Sequence, residues 1–182
     1  QYAGYIVYTI QTQAVKESVS QISDKKEIRF EDGRVYIGEE KDGLPNGMGK
    51  MIYADGDIYE GSYVNGKKEG KGTYFYADKS VYEGEYVNGR EEGKGKHTYV
   101  NGNVYEGDYV NGKREGVGKL IFYSGAVYEG EWVKDKYEGK GKITLANGDT
   151  YEGEWLSGKR HGQGVFTVAD SGHLPAGEHF DN

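Results

Sequence analysis

The chain has 182 residues, of which 31 are glycine and 18 are tyrosine, and its formal net charge at pH 7 is -7. Because the sequence contains no cysteine, disulfides, thiolate metal sites and cysteine nucleophiles are excluded. A mean hydropathy of -0.84, without any apolar stretch of about 18 residues, excludes a transmembrane helix, and the acidic balance argues against a nucleic-acid partner, whose binding depends on Lys and Arg.

The first 35 residues differ from the rest of the chain and are predicted to form an N-terminal cap. Residues 28–33 are typical of a strand that precedes the regular part of the sequence, and residues 2–6 fit the other strand of the same degenerate repeat. Between them, Val15, Val19 and Ile22 have i, i+4 and i+7 spacing, which predicts a short amphipathic helix over about residues 11–24. Such a helix would cover the sheet edge, where unpaired strands invite pairing with other chains.

From Tyr36 onward the sequence repeats every 23 residues. The triplet Tyr-Glu-Gly begins each later repeat, Tyr36-Ile37-Gly38 begins the first, and a Gly-x-Gly motif begins 11 residues after each of these tyrosines. The six tandem repeats are residues 36–58, 59–81, 82–104, 105–127, 128–150 and 151–173. Residues 174–182 form a C-terminal tail, in which Pro175 predicts that regular strand pairing stops near residue 170.

Within a repeat, side chains alternate with a period of two, which predicts strands. Tyr59, Gly61 and Tyr63 share one side of a strand, whereas Glu60 and Ser62 share the other. Asn-Gly and Asp-Gly pairs separate the strands, and these residues adopt the positive φ that hairpin turns require. The sequence therefore predicts an all-β fold, an open single-layer antiparallel β-meander of tandem 23-residue hairpins.

The glycines outside the turns need a separate explanation. The glycine of each Tyr-x-Gly is predicted to let a ring of the adjacent strand lie flat over its backbone. Each Gly-x-Gly is interpreted as turn glycine, because no helix follows it to form a phosphate site. Turn geometry is left open at Lys79, which stands where other repeats have glycine, and at Lys134-Asp135, which replaces Asn-Gly.

No catalytic, cofactor or metal site is predicted, and we expect a protein that is not an enzyme. Acid or base catalysis needs a particular environment around particular groups. The carboxylates that follow the leading tyrosines instead occupy the same position in one repeat after another. They are interpreted as a solvated face paired with nearby lysines: Glu60, Glu83, Glu106, Glu129 and Glu152. His173 and His179 lie near acidic residues in the tail, but their spacing does not define a ligand set.

The repeats resemble the MORN (membrane occupation and recognition nexus) family, whose units read approximately Tyr-Glu-Gly-Glu-Trp-x-x-Gly-Lys-x-x-Gly-x-Gly. Residues 151–164 match this pattern position for position, and residues 36–173 follow it in register. The resemblance implies a scaffold, often in cilia, flagella, axonemes or other cytoskeletal assemblies. It also implies that such arrays are sometimes attached to lysine methyltransferases or phosphoinositide kinases.

The aromatic side of a single-layer sheet suits a peptide or helix of a protein partner, because Tyr and Trp often anchor such interfaces. The sequence hypothesis is an intracellular, non-enzymatic scaffold of the cytoskeleton or cilium. Its predicted partner-binding residues are Tyr59, Tyr63, Tyr82, Tyr86, Tyr105, Tyr109, Tyr128, Trp132, Tyr151 and Trp155. Two alternatives stay open: a phosphoinositide or membrane-binding array, although acids nearly balance bases in the turns, and the regulatory segment of a larger enzyme.

Overall fold

A computed structural model describes residues 25–169 of the chain. These residues form thirteen antiparallel strands that hydrogen-bond to one another in chain order, which confirms the predicted all-β open meander. The strands are β1 (Lys26–Arg29), β2 (Val35–Lys41), β3 (Leu44–Ile52), β4 (Ile58–Val64), β5 (Lys67–Phe75), β6 (Val81–Val87), β7 (Arg90–Thr98), β8 (Val104–Val110), β9 (Lys113–Ile121), β10 (Val127–Val133), β11 (Lys136–Thr144), β12 (Thr150–Leu156) and β13 (Lys159–Thr167).

Several predictions for the chain ends concern residues outside the range 25–169. The helix predicted over 11–24, the strand at 2–6 and the tail at 174–182 lie outside the described residues. The strand predicted at 28–33 lies earlier, at Lys26–Arg29, because residues 30–34 form a turn in which Phe30 N–H donates to the Arg34 carbonyl at 2.9 Å. Within the described part of the chain, no helix is long and apolar enough to cross a membrane.

The chain divides into two compact units after Gly93, within β7. In each unit the hairpin turns have the predicted chemistry: Asn65 and Gly66 have φ values of 48° and 80°. The two turns left open match the turns to which they correspond: Lys134 and Asp135 have φ values of 48° and 71°, like Asn65 and Gly66, and Lys79 has a φ of 79°, like Gly56 at 95°. Local hairpin geometry therefore persists where the glycine or asparagine is missing.

The Gly-x-Gly motifs lie in strands, so their interpretation as turn glycine is wrong. In the β4–β5 hairpin Gly61 pairs with Gly72, but Tyr63 pairs with Lys68, and the register shifts between them. Gly70, the first glycine of the motif, has a φ of +69° in the resulting bulge. A bulge residue in the left-handed region favours glycine, which explains this position in physical terms.

Candidate interaction face

The leading tyrosine of each repeat lies flat along its own strand. The ring of Tyr105 covers Gly118, where a Cβ atom would overlap the ring. The Tyr105 hydroxyl donates to the main-chain carbonyl of Asp108 at 3.1 Å. The prediction that the ring over the glycine of Tyr-x-Gly comes from the adjacent strand is wrong. The ring over Gly107 belongs to Tyr105, two residues earlier in the same strand. A Cβ atom on Gly107 would also lie 2.5 Å from the Cα atom of Gly118.

Leading tyrosines alternate with the second aromatic of each repeat in an edge-to-face ladder. In the first unit the order of contacts is Tyr36, Tyr63, Tyr59, Tyr86 and Tyr82, with successive ring centroids 5.0 to 5.5 Å apart and interplanar angles between 80° and 87°. Edge-to-face pairs of this kind contribute about 0.5–1.5 kcal/mol each beyond the area they bury. Within this ladder, the contacts between adjacent repeats join a leading tyrosine to the second aromatic of the following repeat.

The second unit continues the same scheme with indole rings. Tyr105 packs against Trp132 at 5.0 Å, and Tyr128 packs against both Trp132 and Trp155 at 5.4 and 5.3 Å. The indole N–H of Trp132 donates to the Gly118 carbonyl at 3.1 Å, and that of Trp155 donates to the Gly141 carbonyl at 3.0 Å. These bonds fix the indoles, since a buried N–H needs an acceptor.

All of the residues predicted to bind a partner are members of this ladder and are buried. Their exposed fractions range from 0% to 8%; they are Tyr59, Tyr63, Tyr82, Tyr86, Tyr105, Tyr109, Tyr128, Trp132, Tyr151 and Trp155. Their contact with a partner stays a prediction, but this burial limits the ring surface that a partner could touch directly. Rings without exposed surface support the residues above them and offer a partner little area of their own.

Long side chains from the second strands of several hairpins cover the ladder. The Lys68 ammonium lies 4.6 Å from the ring centroid of Tyr74, 4.9 Å from that of Tyr86 and 5.4 Å from that of Tyr59. Burial lowers the pKa of Lys68, against the opposing effect of nearby carboxylates. The sequence analysis did not single out Lys68, because only the folded hairpin places it over the rings of its own and the following repeat.

Arg114 occupies the equivalent position in the second unit. Its guanidinium lies 4.4 Å from the Trp132 ring and donates from Nε to a carboxylate oxygen of Asp135 at 3.2 Å. Tyr137 takes this position one repeat later and stacks on Tyr128 with centroids 3.9 Å apart. The covering layer therefore combines cations with aromatic rings.

The accessible aromatic area lies beside this layer, in the second strand of each repeat and the turn that follows. In the first unit Tyr53, Tyr74 and Tyr76 are half-buried, with Tyr74 5.7 Å from Tyr53 and 4.6 Å from Tyr76. The Tyr74 hydroxyl donates to Asp57 at 2.8 Å. We call this set, together with Lys68, the outer aromatic strip of the first unit.

An equivalent outer aromatic strip lies in the second unit. It consists of His97, Tyr99, Phe122 and Arg114, all half-buried, and the rings of His97 and Tyr99 stack with centroids 4.1 Å apart. The alternation of apolar residues in the second strands indicated these positions in the sequence. They were not selected as a site because alternation does not tell an exposed ring from a buried one.

Carboxylates on the opposite face pair with lysines across the strands, as predicted. Glu60, Glu106, Glu129 and Glu152 lie 3.0 to 3.9 Å from Lys50, Lys96, Lys119 and Lys142, respectively. Glu83 lies opposite Thr73 instead. Among residues 25–169 no group of three or more His, Asp or Glu residues could hold a metal ion, and His173 and His179 lie outside that range.

A second set of carboxylates has a structural role that the sequence analysis missed. Glu69, Glu115 and Glu138 follow the basic start of the second strand, and each accepts a backbone N–H from the hairpin turn of the next repeat. These bonds are 2.9 to 3.0 Å long. The sequence signal was a glutamate at the same place in several repeats, but its acceptor role depends on the neighbouring hairpin.

Two solved structures are similar to this fold at low identity. The TCP domain of SAS-4 (dCPAP) from Drosophila melanogaster, in complex with a proline-rich motif of Ana2 (dSTIL), is 19% identical, covers 80% of this chain and 85% of its own, and gives a TM-score of 0.44. The wild-type TCP10 domain of Danio rerio CPAP is 14% identical, with 80% and 74% covered and a TM-score of 0.47. At these TM-scores neither similarity identifies a partner for this chain.

The family comparison covers most of the chain. No curated protein matches the sequence. The MORN repeat model matches residues 36–58, 59–81, 82–104, 105–127, 128–150 and 151–173, which are the same repeats that the tyrosine spacing defines. With its strand pairs, turns and aromatic ladder in register with these matches, the chain belongs to the MORN repeat family.

Proposed function

We propose that this chain is a non-enzymatic scaffold that holds a peptide or helix of a protein partner against its outer aromatic strips. The observation that carries the proposal is the half-buried set of Tyr53, Tyr74 and Tyr76 around Lys68 in the first unit. Tyr is enriched among residues that dominate binding energy, because it supplies rigid amphipathic area at low entropic cost.

The ladder beneath the strip explains how the surface would be held ready. Tyr59 and Tyr86 are fully or almost fully buried, and their rings lie beneath the Lys68 ammonium. A preformed surface loses little conformational entropy when a ligand binds. The predicted ladder residues therefore contribute indirectly, by fixing the position of the strip.

The strip also suggests the chemistry of its ligand. Tyrosine rings and a cation favour a segment with apolar side chains and a carboxylate, since the cation can pair with an acid at the rim. The cellular setting that we propose, a cytoskeletal or ciliary assembly, is supported by membership of the MORN repeat family alone.

The experiment compares two double variants on strand β5 and its following turn. Tyr74→Ala/Tyr76→Ala removes two rings of the strip, and Thr73→Ala/Phe75→Ala removes side chains of the opposite face at the neighbouring positions. Proteins that co-purify from the native source are compared by mass spectrometry for both variants and the unaltered chain. Circular dichroism and urea titration confirm that each variant is folded.

The expected result is loss of the partner with Tyr74→Ala/Tyr76→Ala and its retention with Thr73→Ala/Phe75→Ala. An unchanged partner list in the first variant would overturn the proposal. Flotation with phosphoinositide vesicles at two salt concentrations tests the lipid alternative, because salt-sensitive binding that survives in both variants would favour a membrane ligand.

A further inference from the structure

Each hairpin end carries one aliphatic and one basic residue at the positions that flank the turn. The last residue of the first strand pairs directly with the first residue of the second strand. The pairs are Val64 with Lys67, Val110 with Lys113, Val133 with Lys136 and Leu156 with Lys159, and Val87 and Arg90 occupy the same positions. In the first repeat the order is inverted, since Lys41 pairs with Leu44.

The inverted pair shows that the combination is kept although the order changes. Leu44 is 45% exposed and its Cδ2 atom lies 3.8 Å from the place of a Cβ atom on Gly66, beside the next turn. It therefore supplies the aliphatic group that Val64 supplies one repeat later. Hairpin folding alone does not require this combination, because the turn conformation is set by the two residues between the strands.

In the second unit the aliphatic side chains of these pairs are exposed to solvent. Val110, Val133 and Leu156 are 43%, 41% and 47% exposed. They follow the buried residues Tyr109, Trp132 and Trp155 in the chain, so strand alternation places them on the opposite face of the sheet. This row is therefore separate from the outer aromatic strip.

The cations of the row are exposed, and no ion pair forms with them among the residues that the structure describes. Within residues 25–169, Lys113, Lys136 and Lys159 form no ion pair, whereas Lys119 and Lys142, further along two of the same strands, each pair with a glutamate. Asp135, the acidic residue in the turn between Val133 and Lys136, forms an ion pair with Arg114 instead. Apolar area thus lies next to positive charge that no side chain of the described part neutralises.

We propose that this row in the second unit, which we call the hairpin row, docks an acidic amphipathic α-helix of a protein partner. Hairpins recur every second strand, at ~9.6 Å, for strands ~4.8 Å apart. A helix advances ~10.5 Å over seven residues, so one apolar side chain per heptad meets each aliphatic side chain of the row. Asp and Glu beside these positions pair with Lys113, Lys136 and Lys159.

Other ligands fit the hairpin row less well. An extended strand turns alternate side chains away, so residues three apart, ~10 Å along it, lie on opposite sides. A polyproline helix has a suitable repeat of ~9.3 Å, but grooves that bind it are lined by aromatic rings, and Val110, Val133 and Leu156 are aliphatic. An anionic membrane would also meet the carboxylates of Asp108, Glu131 and Glu154, which lie further in on the same face.

The test uses a synthetic helical peptide of three heptads, about 21 residues, with Leu once per heptad and Glu on either side. Control peptides are a scrambled version, a version with Lys for Glu, and a proline-rich version of the same charge. Binding to the full chain is measured by fluorescence anisotropy. Anionic vesicles are tested in parallel by flotation.

Two triple variants separate the hairpin row from net charge. Lys113→Gln/Lys136→Gln/Lys159→Gln removes the cations of the row, and Lys94→Gln/Lys119→Gln/Lys142→Gln removes the same charge from the inner part of that face. We expect the first variant to weaken peptide binding about tenfold and the second to change it less than about twofold. A third variant, Val110→Ser/Val133→Ser/Leu156→Ser, is expected to weaken binding by at least as much.

Several outcomes overturn the proposal. These are equal binding of the designed and scrambled peptides, equal losses in the two lysine variants, and preference for the proline-rich peptide. Vesicle binding that depends on the hairpin row in the absence of peptide binding would assign the row to a membrane. Because every variant lies outside the outer aromatic strips, retention of a co-purified partner by these variants keeps the proposed function separate from this result.

Discussion

The hydroxyl of Tyr128 donates a 3.0 Å hydrogen bond to the main-chain carbonyl of Glu131, within the strand that the ring covers. Tyr128 has no exposed surface. Tyr128→Phe keeps the ring and leaves the carbonyl without this donor, so we expect the free energy of unfolding to fall by about 1 kcal/mol. Urea titration measures the loss. Tyr123→Phe, at a position 83% exposed, is the control and should have no effect; equal losses would contradict a role for the buried hydroxyl.

The paired glycines predict that two neighbouring substitutions differ greatly in how much they destabilise the protein. A side chain on Gly107 would collide with the backbone of Gly118 and with the Tyr105 hydroxyl, so Gly107→Val should destabilise the protein by about 1–3 kcal/mol or more. Glu106→Gln removes only an exposed ion pair, with 3.4 Å between the Glu106 and Lys96 side chains, and should cost about 0–1 kcal/mol. Thermal melting compares them, and equal melting temperatures would show that the close approach of the strands is dispensable.

The buried tyrosines predict cooperative unfolding at alkaline pH. Burial, assisted by the charge of Glu39, raises the pKa of Tyr36 to about 12, and burial also raises the pKa of Tyr59, Tyr82 and Tyr105. Unfolded tyrosine ionises near pH 10, so the stabilisation is complete below that pH and is lost as the pH rises through about 10 to 12 and above.

Absorbance of tyrosinate and circular dichroism, followed together, check this prediction. The buried tyrosines should ionise only as the β-sheet signal disappears. Ionisation of all tyrosines while the circular dichroism spectrum stays unchanged would contradict the burial that raises these pKa values.

Lys79 is predicted to reduce stability, because its φ of 79° lies in the left-handed region. The equivalent turns have glycine, with φ values of 95° at Gly56 and 90° at Gly125. Left-handed φ costs a non-glycine residue about 1–2 kcal/mol, and glycine loses about 0.4–1 kcal/mol more entropy on folding. Lys79→Gly should therefore stabilise the protein by about 0.5–1 kcal/mol, seen as a higher melting temperature. Gly125→Lys should have the opposite effect, and a destabilising Lys79→Gly would show that the lysine side chain contributes more than the strain.

The sequence was sufficient for the parts of the fold that depend on local chemistry. Period-two alternation predicts the strands, and the Asn65-Gly66 type of pair predicts the hairpin turns, because both follow from neighbouring residues. The bulge at Gly70 was missed since it depends on how two strands pair. A glycine in a bulge and a glycine in a turn have the same conformational freedom, and spacing alone does not separate them.

The candidate site was harder to predict for a related reason. Alternation correctly placed Tyr59 and Tyr63 on one face, but their burial depends on Tyr86 and Lys68, whose positions over the rings arise only when hairpins pack. The half-buried rings, such as Tyr76, have the same sequence pattern as the buried ones. Contacts between repeats therefore decide which aromatic residues a partner can reach.

Glutamates that look alike in the sequence are predicted to differ in their contribution to stability. The Glu138 carboxylate accepts the backbone N–H of Ser157 at 2.9 Å, which joins one hairpin to the turn of the next. Glu129 pairs with Lys119 at 3.2 Å across an exposed face, and neither side chain is buried. Glu138→Ala leaves a turn N–H without its charged acceptor and should cost about 1–2 kcal/mol.

Glu129→Ala is the matched control and should cost less than about 1 kcal/mol, because exposed ion pairs contribute little. Urea titration of both variants gives the difference, and 1 M salt should reduce the effect of Glu129→Ala more than that of Glu138→Ala. Hydrogen exchange at Ser157 provides a local measurement, since loss of the acceptor should speed exchange of that amide without changing amides of the first unit. Equal losses in both variants, or unchanged exchange at Ser157, would mean that the carboxylates are interchangeable surface charges and that strand pairing and the ladder join these hairpins without them.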